Sequence, residues 1–327
     1  MKNKCLYCYG ATANAKDFHD ECALKFFGTS TAPKIPYSLS QMDELAKNIV
    51  ERSVAVPGVQ PKLSMSLIRN AKKKSDTRLT VLGALGGEFI LKPPSERFCE
   101  MPENEHVTMK IAEVLGIRVV PSSLIRIASG ELSYITRRID RTSKGEKIHM
   151  LDMFQITEAS DKYKSSMEKI GNAIDQYSSN TLLDKVLYFE LVIFSFITGN
   201  NDMHLKNFSM IKDTIGWTLS PAYDLLNASI INPKDDEELA LTLNGKKRKL
   251  KTEHFLGFGK GLGLSPKQIN GAFKRIPDKL SEIENWIDKS FLSNDMKNAY
   301  KHVLEKRIGV LKSQVTPLPR DAIEWWT

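Results

Sequence analysis

Apolar positions change their period once along the chain. From residue 53 to residue 136 they fall in short runs bounded by turn residues, which predicts strands. Ser53–Val56 leads into the turn Pro57-Gly58-Val59-Gln60-Pro61-Lys62, and Leu63–Leu67 alternates apolar with polar. Residues 69–78, with three lysines, read as a solvated hairpin tip. Leu79–Leu82, Glu88–Lys92, Val119-Val120, Leu124–Ala128 and Leu132–Thr136 complete the strand set. Two helical patterns interrupt it. Residues 40–52 put Met42, Leu45, Ile49 and Val50 on one face behind a Ser40 cap, and Glu103–Leu115 places Val107, Ile111, Ala112 and Leu115 at helical spacing before Gly116. From about residue 150 the period is mostly helical. Val186–Ile197 is the greasiest stretch, interrupted by Glu190 and Ser195 and about half of the roughly 20 residues a membrane span needs, so it predicts a buried core helix.

A β-rich first half followed by a helical second half predicts an α+β, two-lobed enzyme. The expected units are a Cys/His unit with an extended, proline-rich linker over 1–35, an N-lobe over 36–140 and a helical C-lobe over 141–327. Composition narrows the class further. Of 327 residues, 41% are hydrophobic and 26% charged, which excludes global disorder, collagen, coiled-coil and disulfide-scaffold chains. The net charge of +8 permits anionic partners without choosing among them. Four cysteines are too few for a disulfide framework and suit a reducing, cytoplasmic setting. No apolar run follows the first lysines, so no secretory signal is expected.

Three segments carry chemistry. Asn200-Asn201-Asp202-Met203-His204-Leu205-Lys206-Asn207 follows the core helix directly. Asp202 there can take a hydroxyl proton, Asn207 offers an amide oxygen to a hard cation, and Lys206 can neutralise a phosphoryl group. Asp224, 22 residues after Asp202 and set among apolar neighbours, needs a hydrogen bond or a metal. The spacing allows a short strand and return that brings it beside Asn207, where both would hold magnesium. The third segment combines the turn at Gly58, whose backbone N–H groups can approach phosphates, with Lys92 ending an apolar strand and Glu105 opening the next helix. A strand lysine held by a helix glutamate is the protein-kinase arrangement. Each segment alone has a plainer reading as turn, cap or surface lysine. Their order along the chain is what favours the kinase.

The segments Ser53–Lys62, Phe89–Lys92, Glu103–Glu105, Asn201–Asn207 and Tyr223–Leu226 resemble the HipA family, bacterial serine/threonine kinases that act as toxins of toxin–antitoxin systems. The resemblance runs from about residue 40 to near the C-terminus. It implies Asp202 as catalytic base, Asn207 and Asp224 as magnesium ligands, Lys92 on the ATP phosphates with Glu105 as its partner, and Arg137, Arg138 and Ile139 at the adenine hinge. Ala55, Val56, Gly58, Gln60, Lys62, His204 and Lys206 complete the implied ATP contacts. Because the Gly loop begins at residue 53, the resemblance implies a short, HipT-like form without the family's N-terminal subdomain. A separate HipS-like antitoxin would then dock near residues 40–65, and a HipB-like DNA-binding partner would supply any DNA contact. The implied substrate is a serine of an aminoacyl-tRNA synthetase, the tryptophanyl enzyme for HipT-like chains. Where such chains carry a Ser-x-Ser pair in the loop, this one has Ser53-Val54-Ala55. Ser53 is therefore the expected autophosphorylation site, since a phosphate there adds up to about two negative charges beside those of ATP.

Two readings compete with an active protein kinase: a catalytically silent kinase fold serving a repressor complex, and a small-molecule kinase. Apart from the kinase parts, Cys5-x2-Cys8-x10-His19-x2-Cys22 has zinc-ligand spacing. Lys72–Lys74 and Lys246-Lys247-Arg248-Lys249 are basic runs without a reading helix and carry little specificity. His106, His149 and His254 are expected to be structural or exposed, and Trp325 and Trp326 are candidate anchors for the tail.

Overall fold

The alternation over residues 63–137 becomes one antiparallel sheet. A computed structural model describes residues 4–13, 16–42, 44–45, 62–69, 77–81, 87–95, 97–142 and 144–312. Ser53, Ala55, Val56, Gly58 and Gln60 of the expected Gly loop, the Lys72–Lys74 run, and Trp325 and Trp326 lie outside these residues. Helix α1 (Asp20–Phe27) precedes strands β1 (Leu63–Arg69), β2 (Thr77–Val81), β3 (Phe89–Lys92), β4 (Ser122–Arg126) and β5 (Leu132–Arg137). The strands are ordered β2-β1-β3-β5-β4. Leu63 and Met65 of β1 sit opposite Leu91 and Phe89 of β3, and all four are buried, so the apolar phase of the strands sets their register.

Helix α2 (Met101–Val114) crosses behind this sheet, with Pro102 in its first turn and Gly116 in the left-handed region, φ 77°, just beyond its end. It is buried on nearly every side, including Asn104, Glu105, His106, Thr108 and Lys110. Several of those polar groups are held by other elements. Asn104 exchanges two hydrogen bonds with the Asn227 backbone, at 3.0 and 2.8 Å, and Thr108 meets the Tyr300 hydroxyl at 2.9 Å. In this way α2 ties the sheet to the C-lobe.

The C-lobe is built around α5 (Thr181–Ile197), the expected core helix extended by a turn at its start. Around it lie α3 (Met153–Ile156), α4 (Met167–Tyr177), α6 (Ala228–Ile231), α7 (Thr252–Gly261), α8 (Pro266–Lys289) and α9 (Asn294–Lys312). A second sheet stands in this helical half: β6 (Met150–Asp152), β7 (Ser209–Asp213) and β8 (Gly216–Leu219), in that order. Sequence periodicity passes over it because its strands are too short to show alternation. Its β7–β8 hairpin is the short strand and return expected between Asn207 and Asp224. No helix among the described residues is long and apolar enough to cross a membrane.

Two local expectations change. The helix expected from residue 40 is helical over 39–42 and 44–45, with its continuation outside the described residues. Its cap is Ser38 rather than Ser40, because the Gln41 side chain returns to the Ser38 N–H at 2.9 Å while Ser38 Oγ accepts the Gln41 N–H at 3.4 Å. The extended segment after α1 is also fixed to the sheet. Lys34 bridges Arg78 in parallel and exchanges backbone hydrogen bonds with Thr77 and Leu79.

Candidate active site

Lys92 closes β3, opposite Tyr134 of β5, and its ammonium lies 5.4 Å from the centre of the Tyr134 ring. Glu105, one turn into α2, faces the sheet and accepts from Lys92 Nζ at 2.6 Å. The same ammonium contacts Asp224 Oδ1, and Lys62 donates to Asp224 Oδ2 at 3.3 Å. Strand, helix and C-lobe loop therefore meet on one lysine, across sequence separations of 13 and 132 residues.

Burial alone would raise the Asp224 carboxyl, but Lys62 and Lys92 outweigh it and hold the group well below the usual carboxylate range. Burial would likewise discharge Lys92, and Asp224 and Glu105 reverse that, raising it above an ordinary lysine. Asp224 sits at φ 61°, a left-handed backbone unusual for a residue other than glycine. The following short helix takes Asn227 as its cap, whose side chain accepts from Ile230 N, so Asp224 is not a cap.

The second carboxylate comes from the turn after α5. Gly199 begins this turn at φ 67°, and a Cβ there would come within 2.8 Å of Asn227 Oδ1, so glycine answers both the conformation and the packing. Asp202 is largely enclosed. Burial raises its carboxyl above the ordinary value and Asp224 adds to that, opposed by a hydrogen bond that the Tyr163 hydroxyl donates to Oδ1 at 2.8 Å. The short turn Leu205–Asn207 then brings Asn207 back, and its Nδ2 donates to the Asp202 carbonyl at 3.1 Å. With the amide nitrogen committed, the amide oxygen is the end left for a cation. His204 stands edge-on to Tyr163, ring centres 5.0 Å apart, and burial followed by the charge of Lys162 pushes it down to about 4. The imidazole is therefore neutral near pH 7.

A cleft of about 310 Å³ opens against the Lys92 cluster. Ile90, Val120, Tyr134, Ile139 and Met150 supply its apolar walls, and Lys62, Lys92, Glu105 and Asp224 its charged end. Arg137, Arg138 and Ile139 border it. Two of these side chains are already engaged: Arg138 donates twice to Asp140, at 2.8 and 2.6 Å, and Arg137 Nε donates to the Phe26 carbonyl at 2.6 Å. His204, Lys206 and Asn207 are not among the cleft walls. Lys206 turns instead over the Phe154 ring, 4.8 Å from its centre. The cations acting on Asp202 are Lys162 and Lys62. Sequence reasoning missed Lys162 and Tyr163, which lie in a loop of unremarkable composition. The one available signal was an aromatic in a charged, otherwise solvated stretch.

Elsewhere, two of the four cations in the basic run at 246–249 are paired with nearby carboxylates. Lys247 pairs with Glu237 at 3.2 Å and Arg248 with Asp236 at 2.9 Å. Cys5, Cys8, His19 and Cys22 converge, their ligand atoms all within 4.8 Å of one another.

Comparisons with known proteins give the same outline. A sequence profile for the HipA-like C-terminal domain matches residues 54–283. A Haemophilus influenzae protein named as a kinase is 26% identical over 311 residues, covering 85% of this chain and 88% of that protein. A Sinorhizobium fredii protein named as the kinase Y4dM is 34% identical over 56% of this chain, and the serine/threonine-protein kinase toxin HipA of Shewanella oneidensis 25% identical over 70%. The chain spans 47% and 57% of the lengths of those two relatives. Among solved structures, the Shewanella HipA chain of a HipA–HipB–operator DNA complex superposes with a TM-score of 0.65 at 21% identity, covering 85% of this chain and 71% of that one. The Helicobacter pylori proinflammatory kinase CtkA superposes with a TM-score of 0.53 at 17% identity, over 76% and 93%. The α+β, two-lobed fold is thus that of HipA and CtkA.

Proposed function

The chain belongs to the HipA-like C-terminal domain family, and from that premise we propose that it is an ATP-dependent serine/threonine kinase acting as the toxin of a toxin–antitoxin system. The observation that carries the proposal is the convergence of Lys92, Glu105 and Asp224 at the charged end of a cleft whose other walls are apolar. An adenine base suits the apolar walls and a triphosphate suits the lysines. Glu105 holds the Lys92 ammonium in place for the phosphates. Asp202 accepts the proton of the attacking serine hydroxyl, and its raised proton affinity improves it as a base while Tyr163 fixes its orientation. Asn207 and Asp224 are the oxygen donors that would hold magnesium, and the donor set fits: an amide whose nitrogen is committed and a carboxylate kept ionised by two lysines. When bound, magnesium supplies neutralisation of the phosphate charge.

Arg137, Arg138 and Ile139 contribute the hinge side of the base pocket, and Ser53 is the site of autophosphorylation. The family resemblance supports a serine of an aminoacyl-tRNA synthetase, the tryptophanyl enzyme, as substrate, and a HipS-like antitoxin as partner. The HipA–HipB complex supports a HipB-like protein as the DNA-binding partner. The test is transfer of labelled γ-phosphate from ATP into a bacterial lysate. One labelled protein, identified by mass spectrometry as the synthetase, supports the reading. Label confined to small molecules would make the chain a small-molecule kinase, and ATP binding without any transfer would make it a silent binding module.

A further inference from the structure

The N-terminal unit takes no part in the chemistry proposed above, yet it places three thiols and an imidazole around one point. His19 Nδ1 lies 3.3 Å from Cys8 Sγ and 3.6 Å from Cys22 Sγ. A tetrahedron drawn with bonds of about 2.3 Å to sulfur and 2.0 Å to nitrogen has S–N edges of roughly 3.5 Å. The other ring nitrogen settles the tautomer. His19 Nε2 is 2.9 Å from the Ala11 carbonyl, which can only accept, so Nε2 carries the hydrogen and the neutral ring offers a bare lone pair at Nδ1. One lone pair cannot accept from two thiols at once. A single cation among the four donors removes the conflict, and a carbonyl on the far nitrogen is the usual support of a metal-bound histidine. The local chain is shaped for this closure. Cys5 N donates to the Gly10 carbonyl at 2.8 Å, Tyr9 turns through φ 61°, and a side chain at Gly10 would come within 3.2 Å of the His19 ring.

Residues between and flanking these ligands reach both lobes. Toward the sheet, Phe26 and Phe27 pack on Phe89 of β3, and the Phe26 carbonyl takes the Arg137 side chain at the end of β5. Toward the helices, the Tyr9 hydroxyl meets His106 of α2 at 2.8 Å while its ring lies edge-on to Trp286 and Phe291. Lys4 donates to the Lys289 and Ser290 carbonyls, at 2.9 and 2.8 Å, at the end of α8.

We infer that Cys5, Cys8, His19 and Cys22 bind one structural zinc ion, and that the zinc unit is a staple between the strand end bordering the cleft and the helices of the C-lobe. Four protein donors with no open position make the site structural rather than catalytic, and three soft thiolates with one imidazole favour zinc over harder ions. A unit of this size has little core of its own, so metal binding and local folding are one event.

The experiment uses the full chain, purified reduced. Elemental analysis is expected to find stoichiometric zinc that is released by a thiol-blocking mercurial. Cobalt substitution is expected to give thiolate-to-metal charge-transfer bands and intense tetrahedral absorption. His19→Cys should keep the metal, whereas Cys22→Ser should lose most of it to a chelator. If Cys22→Ser does not fold, the metal content and cobalt spectrum of the unaltered chain still decide. Reduced, folded protein without metal, or with iron or copper in the site, overturns the zinc assignment. Hydrogen exchange before and after zinc release then tests the staple: faster exchange is expected over 4–27, at the end of β5 and at the end of α8. Release that leaves β5 and α8 unchanged overturns the bridging role.

Discussion

The two polar clusters differ in how they satisfy themselves. The cleft cluster sets Lys62 and Lys92 against Glu105 and Asp224, and its charges cancel without outside help. The N-terminal cluster is three thiols and one imidazole, a donor set that carries no fixed positive charge of its own. The first is drawn from both lobes and closes only when the fold closes. The second lies within 18 residues of chain, counted from Cys5 to Cys22, and needs an ion. A site that works on a transient ligand has to be stable between turnovers, and the lysine–carboxylate cluster is. A site whose business is structural can make folding depend on its ligand.

The largest effect should come from breaking the self-balanced cluster. Lys92→Met leaves two carboxylates facing each other in a buried place, and removing one partner of a buried ion pair costs about 3–5 kcal/mol. Urea unfolding should show the midpoint falling accordingly. An unchanged midpoint would mean that the cluster does not hold the lobes together.

A smaller effect comes from His204, which burial keeps neutral. The unfolded chain takes up this proton as pH falls below its ordinary value near 6.5, and the folded chain resists until about 4. Stability from this group is therefore complete above pH 6.5 and is lost as pH falls to 4, on the order of 3 kcal/mol in full. Unfolding curves of His204→Gln across that window should be flatter than those of the unaltered chain. Parallel curves would show that the histidine titrates freely.

The smallest effect is on the pH profile. Burial raises Asp202, and the Tyr163 hydrogen bond partly offsets it. Tyr163→Phe removes the offset, so Asp202 holds its proton to higher pH. The acid limb of phosphoryl transfer should move upward in pH while the plateau rate changes little. A downward move would mean that Tyr163 acts on another group.

The same contrast explains what the sequence reveals. The zinc spacing is local, so it can be read directly, and so can the strand-and-helix framework, because apolar alternation also decides register, as at Met65 and Phe89. Lys92, Glu105, Asp202, Asn207 and Asp224 could be picked out by type and order alone. That Asp224 meets Lys92 across 132 residues is a fact of packing. Tyr163 and Lys162 escaped for the same reason: one aromatic in a charged stretch is all that locally marks a loop that faces Asp202. The β6–β8 sheet escaped because strands of three to five residues carry too little pattern. Arg137 could be singled out from the family resemblance, but its attachment to the Phe26 carbonyl depends on how the N-terminal unit docks.

The two carboxylates carry different proposed roles, Asp224 as holder of the metal–nucleotide and Asp202 as base. The direct test measures magnesium–ATP affinity and single-turnover transfer on Asp202→Asn and Asp224→Asn side by side. Asp202→Asn should keep its affinity and lose about 10²–10⁴-fold in transfer, the range for a general base. Asp224→Asn should lose magnesium-dependent affinity first. If Asp202→Asn transfers phosphate at the unaltered rate, or if both variants lose affinity alike, the division of labour proposed for this site is wrong.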